Sequence, residues 1–146
     1  MKVSIKLSDE AHLAVREAIA GPLGAFNVQQ TGVSDHRPLV LTLHDESGHV
    51  IGGLWGRTSY GWLFVRLLFV PESLRGHDIG SELMSRAESE AVARGCHSAW
   101  LDTFEFQARG FYERLGYSCF AELGDYPPGF SRYFMRKALG ARASPA

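Results

Sequence analysis

Residues 62–94 read WLFVRLLFVPESLRGHDIGSELMSRAESEAVAR, and this stretch decides the fold. Trp62–Val70 is an apolar run interrupted only by Arg66, which is typical of a central strand covered on both faces. Pro71 stops that strand because it lacks a backbone N–H. From Ile79 onward, apolar residues recur at helical spacing until Gly95, which predicts an amphipathic helix with a glycine cap. The stretch therefore predicts a buried strand, a short turn and a long helix.

The turn between this strand and helix, RGHDIG at residues 75–80, has the composition of an anion site. A helix start offers unpaired backbone N–H groups and the positive end of the helix dipole. The two glycines let the backbone approach a ligand, and Arg75 adds a charged donor. The same pattern also arises where a tight connection needs glycine for steric reasons alone, so the turn by itself is a weak signal.

On the N-terminal side, the pattern predicts a strand, two short helices and two further strands. Residues 3–7 alternate between apolar and polar, as in a half-buried strand. Ser8 begins a short helix, Gly21 and Pro22 end it, and a second helix runs from Leu23 to about Gln30. The strands at residues 38–43 and 49–57 then form an antiparallel meander with the strand at 62–70.

On the C-terminal side, a short strand at residues 98–103 precedes a helix at 107–115 and two strands at 117–123 and 131–137. A strand–helix–strand of this length implies a right-handed crossover and a parallel pair. Ligands bind open sheets beyond the carboxyl ends of such strands, here beyond Val70 and Thr103. The predicted class is therefore α+β, with a mixed, mostly antiparallel sheet, one parallel strand pair and helices on both faces.

Composition narrows the class of protein. The chain has 146 residues, of which 45% are apolar, so we expect one domain over residues 1–139 and a flexible tail at 140–146. Fifteen basic and sixteen acidic residues argue against binding to nucleic acid or to an anionic membrane. The absence of a signal peptide or apolar span, together with two isolated cysteines, predicts a cytoplasmic protein. The six histidines lack ligand spacing, so no metal site is predicted.

Two motifs on the expected elements resemble the GCN5-related N-acetyltransferase (GNAT) superfamily. LLFVP at residues 67–71 followed by RGHDIG is similar to that family's strand and its R-x-x-G-x-G/A pyrophosphate loop, and ARGFYERLGY at residues 108–117 is similar to its A-x-x-F-Y-x-x-x-G-F/Y helix. The order of elements agrees over roughly residues 3–137. The resemblance implies the acyl-CoA N-acyltransferase fold and transfer of acetyl from acetyl-CoA directly to the primary amine of a small molecule.

The resemblance also implies roles for individual residues. The backbone of the turn would bind the coenzyme A pyrophosphate, and the strand before it would pair with the pantetheine arm. The residues expected to bind the cofactor are Leu68, Phe69, Val70, Arg75, Gly76, His77, Asp78, Ile79, Gly80, Ser81 and Gln107. Tyr112 occupies the position of the general acid that protonates the departing thiolate, although helical spacing alone would favour a core aromatic.

Two departures from the family pattern stand out. Asp78 replaces a usual glycine in the loop, and we expect it to point away from the phosphates as a helix N-cap. The central strand carries Phe64 and Arg66 where many members have a glutamate that acts as the general base. Alternative bases are Asp102 or Glu105 beyond the neighbouring strand, or Asp35 or His36 before the meander. A water relay could also serve, and no base is needed if the substrate amine has a low pKa. The sequence does not choose among these alternatives.

The acceptor side is expected to include the N-terminal helices, the turn at residues 57–61 and the loop at 125–130. Candidate substrate contacts are Phe26, Asp35, Trp62 and Tyr126, which suggest a small cationic or aromatic amine. The competing hypothesis is a non-catalytic acyl-CoA-binding or protein-interaction domain that retains the fold. Homodimers are common in this fold, often through the last two strands, so a homodimer is a further expectation.

Overall fold

The computed structural model describes residues 1–140 and divides the chain into two units, residues 1–34 and the chain from Asp35 on, which are described separately. The single domain expected over residues 1–139 stays a prediction. The tail expected at residues 140–146 lies, from residue 141 on, outside the described residues. No helix among the described residues is long and apolar enough to cross a membrane.

The first unit contains one helix, α1 (Leu13–Thr31). It continues through Pro22, so the prediction of two short helices separated at Gly21 and Pro22 is wrong. A proline disfavours helical angles in the residue before it by clashing with that residue's Cβ, and here that residue is a glycine without one. Gly32 ends the helix with a φ of 80°.

The strand predicted at residues 3–7 is not formed, and the chain before Leu13 has no regular secondary structure. An alternating pattern makes a strand only when a neighbouring strand supplies hydrogen bonds for its backbone. The observed sheet begins at Arg37 and is complete without this segment.

The second unit is built on a six-stranded sheet. Its elements in chain order are β1 (Arg37–His44), β2 (Val50–Ser59), β3 (Trp62–Phe69), a short 3₁₀ turn (Glu72–Leu74), α2 (Ile79–Ala93), β4 (Ser98–Phe104), α3 (Arg109–Arg114), β5 (Ser118–Leu123) and β6 (Arg132–Ala138). The spatial order is β1-β2-β3-β4-β6-β5, and only β3 and β4 run parallel. The meander, the crossover and the mixed α+β class are confirmed.

One hydrophobic core joins α2 and α3 to the sheet. Leu83, Met84, Ala87 and Ala91 of α2 are buried, as the helical spacing predicted for most of them. Met135 of β6 is fully buried in the same cluster, to which α3 contributes Tyr112. The remaining buried members are Leu39, Leu54, Leu63, Val65, Cys96, Ala99, Leu101, Tyr117 and Leu139. This core fixes α2 and α3 beside the ends of β3 and β4, where the candidate site lies.

A β-bulge in β3 separates it from β4. Trp55 pairs with Leu67 while Gly56 pairs with Val65, so Arg66 has no partner residue on β2. Bulges bend a strand and increase its twist. The parallel pairing of β3 with β4 ends at Val65 and Leu101, although both strands continue for several residues. The second half of β3 therefore borders a gap in the sheet.

The prediction that residues 62–70 are covered on both faces is wrong for the part of β3 beyond the bulge. Arg66, Leu67 and Phe69 are exposed, whereas Leu68 and Val70 pack against the core. The physical reason is that β4 no longer lies alongside this part of the strand, which leaves one side open.

Candidate active site

The gap between β3 and β4 is a groove with a volume of about 960 Å³. It lies at the carboxyl ends of the two parallel strands, where the sequence placed a ligand site. Its walls are the second half of β3, the loop before α2, the end of β4 and one face of α3. The residues lining it are Val65, Arg66, Leu67, Leu68, Phe69, Val70, Leu74, Arg75, Gly76, Asp78, Ile79, Gly80, Ser81, Asp102, Thr103, Phe106, Gln107, Ala108, Phe111, Tyr112 and Arg114.

The loop into α2 presents a run of unpaired backbone donors. None of the N–H groups of residues 76–81 has an acceptor among the described residues, and the first bond of the helix is donated by Glu82 to the Asp78 carbonyl. Gly76 holds the turn with a φ of 85°, and Arg75 Nε donates to the Val70 carbonyl at 3.2 Å. Consecutive N–H groups at a helix start form a cradle for an anion. The residues therefore fit a pyrophosphate group.

Asp78 occupies the N-cap position of α2, with φ 59° and ψ 19°. Its carboxylate makes no capping hydrogen bond, so the expectation of a side-chain cap is wrong. A capping side chain needs the extended backbone of an ordinary N-cap residue to reach the second or third amide of the helix, and the left-handed conformation does not provide it. Asp78 lines the groove beside the unpaired amides.

Two other residues of the expected cofactor set behave differently from the loop amides. His77 is exposed and does not line the groove. Gln107 lines the groove, but its Oε1 accepts hydrogen bonds from the Phe104 amide at 2.8 Å and from the Thr103 hydroxyl at 3.2 Å. This side chain therefore stabilises the connection from β4 to α3.

Tyr112 places a phenol on the groove wall. Its side chain is almost completely buried, at 7% exposure, and its ring makes edge contacts with Phe111 and Tyr117. Its hydroxyl has no hydrogen-bond partner among the described residues. Burial, and secondarily the charge of Asp102, raises the pKa of Tyr112 to about 12. Tyr112 is thus a protonated donor open to the groove, and its ring is also part of the core.

A second buried tyrosine, Tyr117, contrasts with Tyr112. Its hydroxyl donates to Glu88 Oε2 at 2.9 Å, and Lys137 Nζ donates to the other oxygen of Glu88 at 2.7 Å. Burial, and then the Glu88 carboxylate, also raises the pKa of Tyr117 above its ordinary range. Because its proton is engaged in this network, Tyr117 supports the ring of Tyr112 and does not present a free donor.

The two carboxylates considered as bases lie in different environments. Asp102 lines the groove, and its Oδ1 accepts from Arg132 Nε at 3.0 Å and from a terminal nitrogen of Arg132 at 2.8 Å. Glu105 does not line the groove, and its Oε1 accepts from the Ser131 amide at 2.9 Å. Of the two, only Asp102 is positioned to act in the groove. Its role as a base stays a prediction.

Of the expected acceptor residues, Asp35, Trp62 and Tyr126 belong to the second unit, where Trp62 lies at the opposite end of the sheet from Tyr126. Phe26 lies on α1, in the first unit. Trp62 begins β3 and pairs with Ser98 at the start of β4, which places it at the sheet edge opposite the groove. Asp35 lies near Cys96, just before β4, where its charge adds to the effect of burial in raising the thiol pKa. Neither Asp35 nor Trp62 lines the groove, and their assignment as acceptor contacts stays a prediction.

Tyr126 lies at the groove end of the sheet, within an aromatic cluster. Its ring centroid is 6.0 Å from that of Phe104, which stacks on Phe106 at 5.4 Å. Phe130 contacts Phe106 in turn, and the guanidinium of Arg132 lies 4.8 Å from the Tyr126 centroid. Sequence reasoning singled out Tyr126 but missed Phe106, which lines the groove. The cluster of aromatic residues at positions 104 and 106 was the available signal.

The chain was then compared with known proteins. The sequence profile of the Acetyltransferase (GNAT) family matches residues 10–117. Acetyltransferase Atu2258 of Agrobacterium fabrum is 43% identical over 131 residues, covering 90% of this chain and 96% of that protein. Blasticidin-S acetyltransferase of Streptomyces morookaense is 40% identical over 116 residues, covering 77% of this chain and 85% of that protein.

The fold also agrees with that of a solved structure over most of the chain. The crystal structure of a candidate acetyltransferase from Agrobacterium tumefaciens superposes with a TM-score of 0.89 at 41% identity, covering 93% of this chain and 99% of that chain. Sequence motifs, sheet order and the groove with its unpaired amides all agree with these matches. The chain belongs to the GNAT acetyltransferase family.

Proposed function

We propose that the protein is an acetyl-CoA-dependent N-acetyltransferase that transfers acetyl directly to a primary amine of a small molecule. Blasticidin-S acetyltransferase, a relative that covers most of this chain, is named for a small-molecule substrate. The observation that carries the proposal is Tyr112, a protonated phenol whose hydroxyl has no hydrogen-bond partner within residues 1–140 and which lies on the same groove as the six unpaired amides.

The groove residues suit the parts of acetyl-CoA. The amides of residues 76–81 would bind the pyrophosphate, as the family resemblance implies. The edge of β3 from Leu68 to Val70 has no neighbouring strand on its β4 side and would pair with the amide groups of the pantetheine arm. Acetyl-CoA would supply the activated acetyl thioester. Asp78 would lie close to the phosphates, which weakens binding by like-charge repulsion.

The chemistry requires one proton to reach the sulfur and one to leave the amine. As the amine nitrogen bonds to the acetyl carbon and the carbon–sulfur bond breaks, Tyr112 would donate its proton to the thiolate. The backbone amide of Leu68 or Phe69 would donate a hydrogen bond to the acetyl oxygen. Asp102, whose Oδ2 makes no hydrogen bond within the described residues, would accept the amine proton directly or through water.

Direct transfer can be tested by mass spectrometry of the reaction mixture. The protein is incubated with acetyl-CoA and a panel of primary amines, and both the amide product and the intact mass of the protein are measured. We expect acetylated amine and free coenzyme A in equal amounts, with no acetylated protein when the amine is omitted. An acetyl-protein formed at the rate of turnover would contradict direct transfer.

The free carboxylate of Asp78 beside the loop amides favours the second candidate, a non-catalytic acyl-CoA-binding or protein-interaction domain. The two candidates differ in turnover. Tight binding of acetyl-CoA without coenzyme A release for any amine would favour the binding domain, whereas amine-dependent release would exclude it. A homodimer, a cytoplasmic location and a single domain over residues 1–139 are further parts of the proposal, which rest on the family resemblance and on composition.

A further inference from the structure

Arg66 is a charged residue in the middle of a central strand. It interrupts the run WLFV-R-LLFV, and its side chain is exposed. It forms no hydrogen bond or ion pair with any described residue, although it lines the groove. A charged residue is unusual in an otherwise apolar central strand, because the neighbouring strands and helices shield most of its positions from water. Its presence there therefore calls for a structural or functional explanation.

The bulge explains how Arg66 reaches the groove. Before it, Leu63 and Val65 face the core, and after it Leu68 and Val70 do, so the alternation slips by one residue at Arg66. Bulges next to sites re-aim a side chain in this manner. The strand thus accommodates a guanidinium at the point where β3 and β4 separate.

The surroundings of Arg66 leave it without a countercharge. Phe64 of β3 and Trp100 of β4 stack on each other with ring centroids 4.1 Å apart. Arg66 comes two residues after Phe64 on the first strand, and Asp102 comes two residues after Trp100 on the second. Asp102 nevertheless forms its ion pair with Arg132 on the other side. Because Arg132 pairs with Asp102, Arg66 has no carboxylate partner among the described residues.

We propose that the acetyl acceptor carries a carboxylate near its amine, and that Arg66 binds that carboxylate as a specificity residue. This inference rests on the proposed function, because it assigns the acceptor to the same groove. A planar guanidinium matches a carboxylate with two parallel hydrogen bonds. The acceptor class is therefore an amine that also bears a carboxylate, such as an amino acid, which differs from the small cationic or aromatic amine that the sequence suggested.

The test uses coenzyme A analogues that place an acceptor group in the groove without turnover. In one pair, the sulfur is joined through an acetyl group to the nitrogen of glycine or of glycinamide. In a second pair, β-alanine and its amide replace glycine and glycinamide, which places the carboxylate or amide one methylene group further from the nitrogen. Calorimetry measures binding of all four to wild type, to Arg66→Gln and to Arg57→Gln. Arg57 is a matched control because it is also an arginine, but it belongs to the neighbouring strand β2 and does not line the groove. Its guanidinium lies over the ring of Phe64.

We expect wild type and Arg57→Gln to bind at least one carboxylate analogue about tenfold more tightly than its amide. Arg66→Gln should bind both members of each pair equally, at the affinity of the amides. Equal binding of acid and amide by wild type, or a preference that survives in Arg66→Gln, would overturn the assignment. If wild type binds neither the analogues nor coenzyme A, the proposed function itself fails.

Discussion

The loop at the start of α2 gives a quantitative prediction through Gly76. Gly76→Ala adds one methyl group at a backbone position with a φ of 85°, and no heavy atom lies within 4 Å of the new Cβ. The perturbation is therefore conformational and not steric. A left-handed conformation costs an L-residue about 1–2 kcal/mol, which corresponds to roughly 5- to 30-fold in an equilibrium constant.

Where this cost falls depends on how firmly the turn is held. The amide of Gly76 has no partner and the loop is exposed, so the free protein can relax the strain and must restore the conformation on binding. Gly48 is the matched control, with the same φ of 85° and nothing within 4 Å. Its amide donates to the Asp45 carbonyl in the hairpin between β1 and β2, so its strain falls on folding.

Calorimetry with coenzyme A and urea denaturation separate the two effects. Gly76→Ala should weaken binding roughly 5- to 30-fold and lower the free energy of unfolding by less than about 0.5 kcal/mol. Gly48→Ala should leave the dissociation constant unchanged and lower the free energy of unfolding by about 1–2 kcal/mol. An unchanged dissociation constant for Gly76→Ala, or an equal loss for Gly48→Ala, would refute the argument that residues 76–81 form the phosphate cradle in their observed conformation.

Two further predictions concern charge and pH. Asp78→Gly removes a carboxylate beside the loop amides and puts glycine, which tolerates left-handed angles, at this position. Acetyl-CoA affinity measured by calorimetry should therefore stay the same or rise. A large loss of affinity would show that Asp78 contributes to binding. The pKa of Tyr112 is raised by burial from its ordinary value near 10 to about 12, so its contribution to stability is fully present below pH 10 and is lost as pH rises through 12. The free energy of unfolding should therefore fall less steeply between about pH 10 and 12 in Tyr112→Phe than in wild type, and identical slopes in urea denaturation would contradict this.

Most of the fold was predictable because local pattern and global architecture agree in this chain. The apolar run of β3, the helical spacing of α2 and the glycines after each helix each point to one structure. The parallel pair and the position of the groove follow from the strand–helix–strand order. The errors in secondary structure lie in the first unit, where Pro22 continues a helix and residues 3–7 form no strand.

The details of the site depend on interactions that local pattern does not contain. The bulge at Arg66 depends on which residues after it pack into the core. The ion pair between Asp102 and Arg132 joins residues that are 30 positions apart in the sequence. The separation of Trp62 from the groove, in contrast, could be predicted from the sequence. Trp62 begins β3, and the groove starts three residues later at Val65, so Trp62 lies roughly 10 Å from the nearest groove residue by strand geometry alone.

The central claim is that Tyr112 donates the proton that releases coenzyme A, and paired phenylalanine variants test it most directly. The measurement is kcat for thiol release at saturating acetyl-CoA and amine, for wild type, Tyr112→Phe and Tyr117→Phe. We predict a loss on the order of 10²–10⁴ for Tyr112→Phe with unchanged acetyl-CoA affinity. Tyr117→Phe should keep kcat within about threefold, because its hydroxyl is bound to Glu88. Equal kcat values for wild type and Tyr112→Phe would contradict the claim.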